Sequence, residues 1–290
     1  MSTSGFTPFE TLAVVGLGLI GGSFAKDVRR LGLASRILGY DNNVEYQTEI
    51  SSRNLVDYLA AVPDKKLTEA QLVLLAIPVK AFAKVISQIH PHLSSEAILT
   101  DTGSVKYPLL NMMCSPENAA IRFVGGHPIA GSENFGPSAS QDNLFAGKHF
   151  ILTPSKNTDR HVLHTVRELW ESLGAEVSEM DAEAHDQIFA SVSHLPHLLA
   201  YACIHSITNS DKPDVLEQSG AGLKDFSRIA SSSPEMWADI FLENQKNLLP
   251  RMNTFKDAMN DLEDAILMND KEKLIELLTL AKTERDRWMT

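Results

Sequence analysis

At 290 residues the chain is long enough for two domains and a sizeable core. Apolar content of 43% and charged content of 22% are ordinary for a globular protein, and a net charge of −11 disfavours a nucleic-acid backbone as partner, which would call for a basic stripe. An anionic small-molecule substrate stays open, because one or two arginines in a cleft can dominate the local field.

Cys114 and Cys203 have neither metal-ligand nor redox spacing, so two unremarkable thiols in a reducing compartment are expected. The start, "MSTSGFTPFE", lacks a basic segment and an apolar segment of the leader kind. No uncharged apolar run approaches the roughly 18 residues that span a bilayer, and the expected location is the cytoplasm.

In chain order, "TLAVV" (11–15) is a short apolar run followed by "GLGLIGGSFAKDVRRLG", which predicts a buried strand, a glycine turn and a helix ending near Gly32. "RILGYD" (36–41) and "QLVLLAIP" (71–78) predict further strands, the second followed by a helix over "VKAFAKVISQIHPHL". "AILTDTGS" (97–104), "IRFVGGHP" (121–128), "HFILTPS" (149–155) and "AEVSEM" (175–180) continue the strand pattern, with a helix at 159–173. Strands alternating with helices indicate βαβ units and a mainly parallel sheet. After Met180 the texture becomes helical, and one amphipathic stretch from Ser233 to Leu267 predicts a single long helix. Its apolar stripe, Leu248, Leu249, Met252, Phe255, Met259, Leu262 and Ile266, suits the core of a helical domain or a dimer interface. The expected fold is α/β: a Rossmann-type dinucleotide-binding domain at 1–180 and an all-helical domain at 181–290.

Gly16, Gly18 and Gly21 stand in G-x-G-x-x-G spacing directly after a strand and at the opening of a helix. Gly16 permits the tight turn, Gly18 lets backbone approach a pyrophosphate, and Gly21 allows close packing of helix on strand. Leu19 and Ile20 open the helix, whose first N–H groups face phosphate. Asp41, 20 residues after Gly21, is placed to accept from ribose hydroxyls and to repel a 2′-phosphate, and Asn42 and Asn43 follow it in place of an arginine. NAD is the expected cofactor, with FAD the weaker alternative.

Three loops fall at strand ends, where open α/β sheets bind ligands. "AIPVKA" brings Ile77 and Pro78 along the cofactor, "DTGSVK" offers Ser104 and Lys106, and "GGHPIAGSE" offers His127, Ser132 and Glu133. A histidine beside a nicotinamide site is positioned to take a proton as hydride leaves, and a hydroxyl such as Ser104 would hold the imidazole in one tautomer. The bland alternative is a histidine that only shapes the glycine loop.

His185, His194, His197 and His205 lie along "HDQIFASVSHLPHLLAYACIH", with Pro196 able to kink or end a helix. The H-x-x-H pair lacks the glutamate of a zincin and a third ligand at a recognisable distance, so no metal is expected. These side chains suit a polar pocket wall, His205 excepted as surface or partner-facing. In "GAGLKDFSRIASSSPEMW", Arg228 is suited to clamp a carboxylate, with Lys224 the second candidate and Asp225 as a local anchor for Arg228.

With these motifs the chain resembles the prephenate dehydrogenase family (cyclohexadienyl dehydrogenases of tyrosine biosynthesis). The resemblance covers residues 10–260 through "VVGLGLIGGS", "DTGSVK", "FVGGHPIAGSE", "LFAGKHFILTP", "SHLPHLLA" and "KDFSRIASSSPEMW". It implies NAD-dependent oxidative decarboxylation of prephenate to 4-hydroxyphenylpyruvate, or turnover of arogenate, or both. It further implies His127 as the catalytic histidine at the ring 4-hydroxyl, Ser104 as the serine that orients it, and Arg228 as the arginine holding a substrate carboxylate. His197 would line the substrate pocket, Ser132 and Glu133 would lie near substrate and cofactor, and His185 would be a further histidine of that region. Ser132 stands where the family commonly has threonine, which keeps a hydroxyl. A homodimer through the C-terminal helices is implied as well. With neither a chorismate-mutase extension nor an ACT domain in this length, a monofunctional enzyme is expected. The competing readings are a β-hydroxyacid-type NAD(P) dehydrogenase and a non-enzymatic NAD-sensing dimer.

Overall fold

The computed structural model describes residues 6–209 and 215–289, so the first half of the start "MSTSGFTPFE" lies outside the described residues. β1 (Phe9–Val15) runs into the glycine turn and α1 (Leu19–Leu31), then β2 (Ala34–Tyr40). α1 stops where Gly32 adopts left-handed backbone at φ 66°, and its N–H returns to the Arg29 carbonyl. Two elements that the sequence patterns do not disclose follow. These are α2 (Val44–Ser52), capped by the Asn43 side chain on the Glu45 and Tyr46 N–H groups, and the three-residue β3 (Tyr58–Ala60). Next come β4 (Leu72–Leu75), α3 (Phe82–Ile89), β5 (Ile98–Asp101), the short α4 (Tyr107–Met113) and β6 (Arg122–Pro128). β7 (His149–Thr153), α5 (Arg160–Ser172) and β8 (Glu176–Glu179) complete the α/β part.

The strands form one 8-stranded sheet in the order β3-β2-β1-β4-β5-β6-β7-β8. Every pairing is parallel except β6 with β7. Both faces are covered, as a parallel sheet requires. Along β1, Leu12 and Val14 join one buried cluster while Ala13 and Val15 join the other. Trp170 of α5 stacks on Phe150 at 3.8 Å between ring centroids and anchors the first cluster. β6 changes partner part-way: Arg122–Val124 match β5 and Gly125–Pro128 match β7. His127 therefore lies beyond the end of β5, its backbone held opposite Ile151.

After β8 every described element is helical. α6 (Ala182–Phe189), capped by Asp181, passes through a π-helical turn (Ala190–His194) into α7 (Leu195–Thr208). α8 (Ala221–Ser227), a 3-10 turn (Arg228–Ser231) and α9 (Pro234–Glu243) follow, then α10 (Gln245–Leu267) and α11 (Lys271–Met289). The single helix expected over 233–267 is thus interrupted at Asn244. That residue leaves helical geometry at φ −106°, ψ 22°, and its buried amide donates to the Asp186 carbonyl and bonds His194 Nδ1.

The chain divides after Asn244 into two compact units. In the second, α10 buries Leu248, half-buries Met252, Phe255 and Leu262, and exposes Leu249, Met259 and Ile266. α11 exposes Ile275, Leu278, Leu280 and Trp288. No helix among the described residues is long and apolar enough to cross a membrane.

Candidate active site

The glycine turn is sterically dictated at two of its three positions. Gly16 sits at φ 86°, where a side chain would overlap the Ala76 carbonyl, and a methyl on Gly21 would overlap the Gly16 carbonyl. Gly18 is different: nothing lies within 4 Å of where its Cβ would stand, and it lines the large cavity. The space above Gly18 is what a close-approaching pyrophosphate needs, so these residues fit a dinucleotide. Asp41 is buried at the end of β2 and ties the turn down, accepting from the Leu17 N–H at 2.8 Å and the Asn43 N–H at 3.0 Å. Each carboxylate oxygen keeps a lone pair for a ribose hydroxyl.

The cavity has a volume of about 840 Å³ and gathers most of the candidate residues from distant parts of the chain. Gly18, Leu19, Ile20, Ile77 and Pro78 line one part; Ser104, His127, Ser132, Glu133, His197 and Arg228 line the rest. Gly16, Gly21 and Asp41 stand behind this lining as the frame of the turn. Lys224 is exposed on α8 and stands outside the cavity lining that includes Arg228.

His127 is 8% exposed, and its Nδ1 lies 2.9 Å from His185 Nε2. The group on Nδ1 is His185, delivered by α6, while the Ser104 hydroxyl stands in the wall of the same cavity. His185 Nδ1 in turn meets Asp186 Oδ1 at 2.8 Å. The Phe189 ring stacks on His185 at 4.4 Å and lies 5.0 Å from His127, fixing both ring planes. Burial holds the His127 pKa well below the ordinary histidine value, with neighbouring His185, Lys106 and His194 adding to the effect. The surroundings thus favour the neutral ring over the imidazolium.

Beneath the histidine, Lys106 is fully buried and paired with Asp101, and its ammonium donates to the Gly126 carbonyl at 2.7 Å. Asp101 also accepts from the Gly103 N–H at 2.7 Å and the Gly126 N–H at 3.0 Å. The pair thereby binds the end of β5, its following loop and the residue before His127 into one unit. Burial lowers the Lys106 pKa while Asp101 opposes the shift.

On the helical side, His197 stacks on Trp237 at 3.7 Å, and its Nδ1 bonds the Ser193 carbonyl at 2.8 Å. Burial lowers its pKa, with the Ser193 carbonyl acting against the shift. Arg228 pairs with Glu133 at 2.9 Å, and among the described residues Glu133 is its carboxylate partner in place of the expected Asp225. Glu133's own backbone N–H and then Arg228 hold that carboxyl below the usual range. His194 and His197, three apart, have different surroundings: His194 is buried against Asn244, with its pKa pushed down to about 4, chiefly by burial. His205 is exposed on α7 and bonds Asn209.

Residues 24–179 match the family model for the prephenate dehydrogenase nucleotide-binding domain, and residues 181–280 match that for the prephenate dehydrogenase dimerization domain. A cyclohexadienyl dehydrogenase of Zymomonas mobilis is 34% identical over 273 residues, covering 93% of each chain. A prephenate dehydrogenase of Bacillus subtilis is 32% identical over 280 residues, covering 96% of this chain and 76% of its own. Among solved structures, prephenate dehydrogenase from A. aeolicus in complex with hydroxyphenyl propionate and NAD+ superposes with a TM-score of 0.89. It is 39% identical, over 97% of this chain and 99% of the other.

The chain belongs to the prephenate dehydrogenase family.

Within this member of the family, sequence reasoning passed over three contributors to the site. Asp186 lies beside a histidine already noted, but its role shows only when α6 packs on β6. Tyr46 and Trp237 line the cavity from α2 and α9, and an aromatic residue on a helix gives no signal that separates cavity wall from core.

Proposed function

We propose that the protein oxidises prephenate to 4-hydroxyphenylpyruvate, CO2 and NADH, with His127 accepting the proton of the ring 4-hydroxyl. The observation that carries this reading is the placement of His127 in one cavity with Gly18 and Arg228. NAD, when bound through Gly18, Leu19, Ile20, Ile77, Pro78 and Asp41, supplies the hydride acceptor. His127 takes the hydroxyl proton as the carbonyl forms at that carbon. Loss of the ring carboxylate leaves an electron pair that makes the ring a phenolate, and the proton on His127 returns to it. Arg228 holds a substrate carboxylate, with Glu133 as its resting partner. The Ser193 carbonyl fixes His197 Nδ1 as a donor, leaving Nε2 toward the cavity side of the ring. Ser104 and Ser132 offer hydroxyls along the same wall.

Residues 1–180 serve the dinucleotide, and residues 181–290 serve the substrate and a homodimer. The match to a dimerization domain and the exposed apolar residues of α10 and α11 support the dimer. Asp41 supports NAD over NADP, with a preference of at least about tenfold in kcat/KM expected.

The test is NADH formation followed at 340 nm with prephenate, arogenate and a short hydroxyacid. Turnover of the cyclohexadienyl acid alone is expected, with His127→Asn lowering kcat by roughly 10²- to 10⁴-fold and leaving NAD affinity near normal. Turnover of the hydroxyacid alone, or none at all, overturns the reading.

A further inference from the structure

We propose that His185 and Asp186 are positioning residues that set the tautomer of His127 and share the charge it acquires, so that its Nε2 is the proton-accepting atom. The inference rests on the functional reading above for its consequence in turnover, and on geometry alone for the tautomer.

The donor–acceptor accounting runs inward from the backbone. Asp186 Oδ1 accepts from the Lys106 N–H at 2.8 Å and Oδ2 from the Tyr107 N–H at 2.9 Å. A carboxylate in this setting offers lone pairs only, so the bond at 2.8 Å to His185 Nδ1 places a hydrogen on that nitrogen. Neutral His185 then carries a lone pair on Nε2. The partner of that lone pair is His127 Nδ1, at 2.9 Å, which must be the protonated nitrogen of its own ring. Nδ1 is turned toward α6, so the edge bearing Nε2 is the one left to the cavity, unprotonated and ready to accept.

The same chain matters once His127 is charged. The groups around it are His185 and Asp186 on α6, His194 on the π-helical turn, and Lys106 and Asp101 beneath. Burial, Lys106 and the two histidines disfavour an imidazolium. Asp186 is the carboxylate that reaches it through a hydrogen-bonded ring, with the logic by which an aspartate orients and supports the histidine of a hydrolytic triad. The arrangement is preassembled: α6 starts at the Asp181 cap, the Asp186 carboxylate is tied to two backbone amides across the fold, and Phe189 stacks on the middle ring.

The decisive experiment reads the tautomer directly. Histidine 15N chemical shifts of the protein with bound NAD, assigned by comparison with His127→Asn, should show His127 carrying its hydrogen on Nδ1. A hydrogen on Nε2 in the unmodified protein overturns the proposal, whatever the activity. A protein inactive toward prephenate would sink the functional reading while this measurement still decided the tautomer.

Kinetics supply the second arm. His185→Leu should lower kcat by about 10²- to 10³-fold with KM for prephenate within about threefold. His185→Gln, whose amide can accept from His127 and donate to Asp186, should recover at least about tenfold of that loss. A His185→Leu variant that is folded by circular dichroism and retains kcat within about threefold would overturn the proposal, as would equal losses in the Leu and Gln variants.

Discussion

Arg228 and Glu133 stand 95 positions apart in sequence and meet at 2.9 Å in the cavity wall. The arginine side chain is 60% exposed, so the pair contributes little stability and a substrate carboxylate can displace the glutamate at small cost. Arg228→Ala should raise the prephenate KM by roughly one to two orders of magnitude, since a charge-assisted clamp is lost. Glu133→Gln, which removes only the resting partner, should change KM by less than about fivefold. Steady-state kinetics at saturating NAD check both; a normal KM in Arg228→Ala would place the carboxylate elsewhere.

The glycine turn separates cofactor approach from folding. Gly18→Ala meets no protein atom, so its melting temperature should match that of the parent while NAD affinity falls by about tenfold or more as the methyl enters the pyrophosphate space. Gly21→Ala forces a methyl onto the Gly16 carbonyl and should melt lower by several degrees before any ligand is added. Thermal melts with and without NAD distinguish the two, and a Gly18→Ala protein of unchanged NAD affinity would contradict the cradle.

The buried histidines make stability fall on the acid side. His127, His185, His194 and His197 all have pKa values lowered by burial, that of His194 to about 4. As pH falls below the unfolded value of about 6.5, the unfolded chain takes up protons that the folded one resists. Stability intact above that value is therefore lost progressively from about 6.5 toward about 4 for His194. The urea midpoint should drop between pH 7 and pH 5, with a shallower drop in His194→Gln. Identical pH slopes for the two proteins would rule out His194 as a contributor.

Asn244 is the joint at which one expected helix becomes two. Its amide donates to the Asp186 carbonyl at 2.8 Å and bonds His194 Nδ1 at 3.0 Å, all inside the protein. Asn244→Leu leaves both partners buried without it and should cost about 1–3 kcal/mol in urea unfolding. An unchanged unfolding free energy would show that the carbonyl finds another donor.

Contrasts between particular residues show where the pattern of the chain was informative. β1 and the glycine turn were legible because a continuous apolar run meets glycines whose spacing has a steric meaning. β3 was not, being three half-buried residues, and α2 buries only Ile50, too little to leave a periodic trace. The break at Asn244 was invisible because the apolar stripe continues past it and the interrupting partner, Asp186, lies 58 positions upstream. His127 stood out through its glycine flanks. Its contact with His185, also 58 positions away, obeys no local period and emerges only when α6 docks on the sheet.

The antiparallel pairing of β6 with β7 has an architectural consequence. A parallel partner would have required the chain to run back to the opposite end of the strands before re-entering the sheet. Instead the chain leaves β6 at Pro128 and returns at His149, where the Ile129 N–H already meets the His149 carbonyl at 2.8 Å. Residues 129–148 consequently form a closed excursion above the reactive end of the sheet, with Ser132, Glu133 and Phe135 in the cavity wall. The β6–β7 stem alone sets the strand register, while the span above it does two jobs at once: one end shapes the chamber wall, and the other sends Leu144 and Phe145 down into the core as its anchor.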